Sequence, residues 1–306
     1  MSSAINDYNS QLVTVKTTED VKVGLKALVT GASVILEMTT GGLFMENVKM
    51  EKQRTSEPYP FICRNILSQG IRGFEAGLWP WGFILGLVKG SVLGGSKAYF
   101  DTVYRDFVTD KKKAALAAGF SAGAIQGLFM SPILLARTRV NQSISERAIS
   151  GVRAMSVWEE MKFSQSILYE GVKRDGIKML ATGMPTCVFK RSMDWGTRFF
   201  FIDWIRKSVK DYSGNDQMSN AQQLLTSFAG GAASVTVTMP IDRLMPVIQA
   251  ATKGSIPVTR VLMDKFRKEG VSTFQRGWTM RTLHTGYHTM FATFVSDKIY
   301  KIINES

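Results

Sequence analysis

The sequence predicts an all-α membrane protein of six transmembrane helices in three pseudo-symmetric repeats, with short surface helices between them. Three observations predict it. Six segments, about 24–46, 78–104, 112–137, 182–207, 221–246 and 281–301, are dominated by apolar and small residues, and each reaches the roughly 20 residues a helix needs to cross a bilayer. A glycine element recurs at matching offsets: Gln69-Gly70-Phe74-Gly77, Asp175-Gly176-Leu180-Gly183 and Glu269-Gly270-Phe274-Gly277. A third pattern, Pro240-Ile241-Asp242-Arg243-Leu244-Met245 with Gln249, has degraded copies at Pro132, Leu134, Arg137, Arg139 and Asn141 and at Phe44, Glu46, Lys49 and Gln53. Both elements return after roughly a hundred residues, the mark of an internal repeat.

Residues 1–20 read as a polar tail, followed by repeats over 21–106, 107–210 and 211–306 that together make one structural domain. Each repeat runs from a long helix through the proline-type element to a short amphipathic helix, then the glycine element and a second long helix. The short helices are expected near 60–69, 156–170 and 257–268. Phe61, Ile62, Ile66 and Leu67 in the first, and Val261, Leu262 and Phe266 in the third, recur at three- and four-residue steps, as in helices lying flat on a membrane surface. Gly119-x-x-x-Gly123 and Gly230-Gly231 mark close helix approach. Pro132 and Pro240 should kink their helices, whereas Phe44 cannot, so the first helix is expected to be the straightest.

None of the apolar segments is free of charge. Lys26, Glu37, Lys89, Lys97, Lys190, Arg191, Asp194, Arg198, His284 and His288 interrupt them, and at such depth polar groups must face a bundle interior or a watery cavity. A soluble bundle of amphipathic helices explains the interruptions but not the threefold repeat. The net charge of +13 is spread along the chain, with Lys111-Lys112-Lys113 as its run, and no basic-aromatic nucleic-acid module is visible. Cys63 and Cys187 have neither a disulfide framework nor metal spacing. The N-terminus carries Asp7, Glu19 and Asp20, unlike an acid-poor transit peptide, so import is expected to use internal signals.

The two repeated elements resemble those of the mitochondrial carrier family, whose signature is Pro-x-Asp/Glu-x-x-Lys/Arg-x-Lys/Arg-x-Gln, over about residues 20–301. The resemblance implies a multi-pass protein of the inner mitochondrial membrane and no enzymatic chemistry. It also implies lipid contacts, with cardiolipin at the short helices, and a matrix-side gate of ion pairs. Carried onto this sequence, Glu46 pairs with Arg137 and Asp242 with Lys49, while Leu134 and Met245 replace both members of the third pair. Losing both charges together can be nearly neutral, whereas losing one leaves a buried charge unpaired at about 3–5 kcal/mol. Gln53, Asn141 and Gln249 take the brace position beneath. On the cytoplasmic side Asp203 and Arg206 keep the family's acidic-to-basic spacing, but Asp101 is followed by Tyr104 and Asp297 by Tyr300, so that gate is expected to rest mostly on hydrogen bonds.

The fourth apolar segment resembles that of the tricarboxylate carriers at Lys190 and Arg198-Phe199-Phe200, and Arg281 on the sixth also matches. His284 stands where that subfamily has arginine, and Trp81 and Leu85 stand where the second helix would carry cations. The resemblance makes Lys190, Arg191, Arg198, Arg281 and His284 the candidate contacts for a small carboxylate- or phosphate-bearing anion, and a transporter needs Lys190, Arg191 and Arg198 to face water. The Arg-Arg-Arg-Met-Met-Met run of adenine nucleotide carriers is absent. His284 and His288 share a helix face but lack the glutamate of His-Glu-x-x-His, and Ser96-Lys97 reverses the order of a phosphate loop. No metal site, cofactor or catalytic constellation is expected.

Two functions stay open at this point. One is an alternating-access carrier of a small anion. The other is a transport-inactive, carrier-fold structural subunit of a larger inner-membrane, respiratory-chain complex, supported by the lost first proline, the missing third bridge and the altered cytoplasmic pairs.

Overall fold

The computed structural model describes residues 21–54, 57–68, 70, 82–149, 156–181, 183–215, 217–250, 263, 267, 270 and 277–305. The polar tail, the third short helix and Trp81 lie outside the described residues. Helices α1 (21–37) and α2 (Leu43–Arg54) run end to end through a π-helical turn at Met38–Gly42, and the short α3 follows at Tyr59–Ser68. Then come α4 (Phe83–Phe107), α5 (Lys111–Ile149), α6 (Val157–Asp175), a 3-10 turn at Ile177–Ala181 and α7 (Met184–Ser213). The chain ends with α8 (Asn220–Ala250), α9 (Trp278–Met290), a second π-helical turn at Phe291–Val295 and α10 (Ser296–Glu305). No strand occurs among the described residues.

Val21–Lys52, Lys112–Ala136 and Asn220–Asp242 are long and apolar enough to cross a membrane. The intervening rods α4, α7 and α9–α10 are comparably long but carry Lys89, Lys97, Asp101, Lys190, Arg191, Asp194, Arg198, Arg281 and two histidines, which lower their apolarity. Long helices therefore alternate between apolar and charge-bearing.

The rods close into a ring. Helix α4 packs on α5, α5 on α7, α7 on α8 and α8 on α9. The last joint is made by α1, whose Thr30 shares a hydrogen bond of 2.9 Å with Ser296 of α10. Close approach at the joints depends on glycine: a Cβ on Gly90 would lie 2.5 Å from the Thr30 carbonyl, and one on Gly127 would lie 2.7 Å from the backbone of Val188. Phe199 and Arg191 sit against Gly119 and Gly123 in the same way, and Ile202 against Gly230. Hydroxyls inside the rods donate to carbonyls one turn back, as Ser33 does to Val29 at 2.8 Å and Thr289 to Thr285 at 2.7 Å, so they need no water.

The recurring glycines share a positive φ. Gly70, Gly176 and Gly270 have φ of 65°, 72° and 64°, and Gly183 and Gly277, which open α7 and α9, have φ of 75° and 80°. Only glycine adopts such φ values without a Cβ penalty, which explains why the spacing is legible in sequence. Helix α6 starts with a capping box between Ser156 and Glu159. In α3, Ile62 is buried while Phe61 and Leu67 are exposed, leaving an apolar outer face.

One expectation, that the first rod is the straightest, is corrected. Pro132 and Pro240 sit inside helices α5 and α8, whereas the rod expected to be straightest breaks, with Gly41 at φ 144° and ψ −16°. Proline is one way to interrupt a helix. A Gly41-Gly42 pair is another, because glycine tolerates backbone angles closed to other residues.

Candidate functional site

Two buried carboxylates organise the middle of the ring. Lys190 and Asp194 lie one turn apart on α7, and Lys190 Nζ is 3.1 Å from Asp194 Oδ2. The same ammonium is 2.8 Å from Asp242 Oδ1 on α8. Arg281, entering from α9, contacts Asp242 Oδ2 directly and reaches Asp194 Oδ1 at 3.4 Å. Its Nη2 also donates to Thr238 Oγ1 at 3.1 Å. Lys49 of α2 approaches Asp242 Oδ2 at 3.8 Å. Three cations from three rods thus converge on two carboxylates, and α2, α7, α8 and α9 are tied together in one layer.

Lys190, Arg191 and Arg198 were expected to face water; Arg191 is half-buried, and Lys190 and Arg198 are buried together with the neighbouring Arg281. Asp194 and Asp242 neutralise Lys190 and Arg281 from within the protein. Asp194 was read only as an interruption of an apolar segment. Its i, i+4 spacing from Lys190 was the available signal.

Arg198 is held differently. Its guanidinium carbon lies 4.6 Å from the centroid of the Trp195 ring, a cation–π contact. Its buried Nε and Nη1, and the buried Nε of Arg191, find no hydrogen-bond acceptor among the described residues. Trp195 is fixed in turn, since its Nε1 donates to Gln126 Oε1 at 2.9 Å and Gln126 Nε2 donates to the Lys89 carbonyl at 2.7 Å. Buried donors are otherwise nearly always paired.

A second carboxylate cluster adjoins Trp195 through His288. Glu37 of α1 is fully buried, with His284 Nε2 3.4 Å from Oε1 and His288 Nδ1 3.2 Å from Oε2. Lys89 of α4 approaches the same His288 nitrogen at 3.3 Å, and the His288 ring meets Trp195 edge-on at 5.8 Å. His284, expected among the anion contacts, is therefore occupied with a carboxylate. Counting from the glycine element placed the second-helix contacts at Trp81 and Leu85. Leu85 is buried apolar packing, and the cation that α4 sends inward is Lys89, one turn further on. Among the described residues, no group of three His, Cys, Asp or Glu side chains is arranged to hold a metal ion.

The cytoplasmic-side candidates Asp101, Asp203, Arg206, Asp297 and Tyr300 line one cavity of about 220 Å³. Tyr104 stands outside it, its hydroxyl 2.9 Å from Ser121 Oγ. Arg206 Nη2 reaches Ser227 Oγ at 3.4 Å, and Lys26 sits over the Tyr300 ring at 5.2 Å. Tyr104, Arg206 and Tyr300 thus each meet a residue of the neighbouring apolar rod. Asp101 forms an ion pair within its own helix, with Lys97. Of the matrix-side candidates, Glu46, Lys49, Leu134 and Asp242 are described. The side chains of Gln53, Arg137, Asn141, Met245 and Gln249 lie outside the described residues, so the Glu46–Arg137 and Leu134–Met245 pairs do too.

Comparison with known proteins agrees with this picture. The sequence profile described as "Mitochondrial carrier protein" matches residues 111–213 and 216–306. The citrate/oxoglutarate carrier protein of Saccharomyces cerevisiae is 22% identical over 288 residues, covering 90% of this chain and 89% of that one. The mitochondrial basic amino acids transporter of Mus musculus is 26% identical over 183 residues, 58% of this chain and 56% of its own. The mitochondrial dicarboxylate transporter of S. cerevisiae is 26% identical over 133 residues, 44% and 43%. A ring of long helices with charge turned inward, together with a profile match over more than half its length, identifies this chain as a member of the mitochondrial carrier family, whose proteins are transporters of small solutes and not enzymes.

Proposed function

We propose that the protein is a six-span carrier of the inner mitochondrial membrane that moves a small carboxylate- or phosphate-bearing anion by alternating access. The observation that carries this reading is the set of buried guanidinium N–H groups without acceptors on Arg198 and Arg191, beside a layer of cations otherwise matched by Asp194 and Asp242. A carboxylate is the natural acceptor, since a planar guanidinium engages it through two parallel hydrogen bonds. The names of the citrate/oxoglutarate and dicarboxylate relatives point to the same chemistry. Arg198 and Arg191 are the primary contacts in this reading. Lys190 and Arg281 become available when the solute competes with Asp194 and Asp242 for them. The ion-paired layer at Lys49 and Asp242 closes one side, and the cavity around Asp203, Arg206 and Tyr300 lies toward the other. The three repeats follow the boundaries 21–106, 107–210 and 211–306.

The test is uptake of labelled citrate, malate, oxoglutarate and phosphate into liposomes containing the purified protein, with Arg198→Ala beside it. Uptake of a carboxylate that the variant loses supports the reading. Correctly folded protein that exchanges none of the four solutes counts against it and in favour of a transport-inactive structural subunit.

A further inference from the structure

We propose that Glu37, His284 and His288 form a proton-binding site loaded together with the anion, so that the protein couples anion movement to proton movement. The inference rests on the transport reading for its purpose, but its geometry is independent of the anion contacts.

Three unmet hydrogen-bonding demands meet in this cluster. Glu37 Oε1 is buried without a donor that satisfies it, although His284 Nε2 stands 3.4 Å away. His288 Nε2 is buried without any partner. His288 Nδ1 faces Glu37 Oε2 at 3.2 Å and Lys89 Nζ at 3.3 Å, and the two neighbours make opposite demands. The carboxylate calls for an N–H, and the ammonium calls for a lone pair. A single neutral imidazole nitrogen satisfies one of them at a time. His284 meets the first demand as a neutral imidazole carrying its proton on Nε2, and one added proton, taken by Glu37, eases the conflict at His288. The carboxylate then needs less from His288, whose Nδ1 is freed to accept from Lys89.

The surroundings make that proton conditional. The cluster lies between α1, α4, α7 and α9, and the charged groups facing it are Lys89, Arg198 and Glu46, with Arg191 next to Lys89. With no anion bound, the cations among them oppose an extra positive charge. An anion on Arg198 lies one indole ring from His288, because Trp195 contacts both, and its charge offsets theirs in a poorly screened interior. Linkage is reciprocal: a proton that tightens anion binding is itself held more tightly when the anion is bound. Ionisable clusters of this kind inside a membrane bundle are expected to serve such relays. The kink fixes the site, since Gly42, the last residue of the π-helical turn, packs directly against the Glu37 carboxylate where a Cβ would collide with it.

The experiment uses oxoglutarate, whose carboxylates stay ionised at neutral pH, so any proton taken up goes to the protein. An indicator dye in weakly buffered detergent solution should show about one proton absorbed per anion bound. In liposomes, an acid-outside gradient of one pH unit should raise initial uptake by up to about tenfold over equal pH on both sides. Glu37→Gln and His284→Gln, each checked by thermal melting, should bring both the proton count and the gradient ratio to the values of an uncoupled carrier. Oxoglutarate exchange at equal pH with no proton absorbed and no gradient response overturns the proton site. Proton absorption without exchange overturns the transport reading and leaves the site standing. Neither signal overturns both.

Discussion

Arg281 of α9 and Asp242 of α8 are in direct contact, and the same arginine reaches Asp194 of α7 at 3.4 Å. One guanidinium therefore joins three rods through two buried carboxylates. Removing one member of such a set leaves the others charged and unmatched, at about 3–5 kcal/mol. Arg281→Leu should lower the melting temperature of the detergent-solubilised protein by several degrees. Lys49→Met, which removes the longest of the Asp242 contacts at 3.8 Å, should lower it far less.

Trp195→Phe tests the ring that carries Arg198. The variant keeps an aromatic face but leaves Gln126 Oε1 without its donor, which costs about 1–3 kcal/mol. Reduced stability, together with anion binding weakened several-fold, is the expected result by thermal melting and ligand titration.

The glycines separate into two classes. Gly90→Ala puts a methyl group 2.5 Å from the Thr30 carbonyl and should sharply reduce the yield of folded protein. Gly24→Ala, in α1, meets nothing within 4 Å and should raise stability by about 0.5–1 kcal/mol. Size-exclusion profiles and melting curves of the two variants distinguish them.

Gly41→Ala addresses the kink. At φ 144° a Cβ introduces strain of about 1–3 kcal/mol, and relief by straightening would draw Glu37 away from its histidines. The prediction is a lower melting temperature together with loss of oxoglutarate-linked proton absorption.

Periodicity and small-residue spacing made the rods, the short helices α3 and α6 and the glycine turns legible, because each follows from local chemistry. A left-handed glycine or a capping serine needs no distant partner. The charge network was only half legible. Lys190, Arg281 and Asp242 could be named, but that one aspartate serves three cations depends on how the ring closes. Glu37 and Lys89 stood out as charges in apolar segments, yet their histidine partner lies 251 and 199 positions away along the chain. The kink at Gly41 was missed because proline was taken as the sole sign of a break.

Ring closure also sets the timetable of biogenesis. Thr30 and Ser296 are 266 positions apart, so the seam between first and last rods forms only once the final rod is in place, and such long-range contacts form late. Until then the Glu37 carboxylate has no imidazole to face. A chain interrupted after α8 would leave that acid in the bilayer without either of its histidines, a defect that insertion and quality-control machinery can read as an unfinished product.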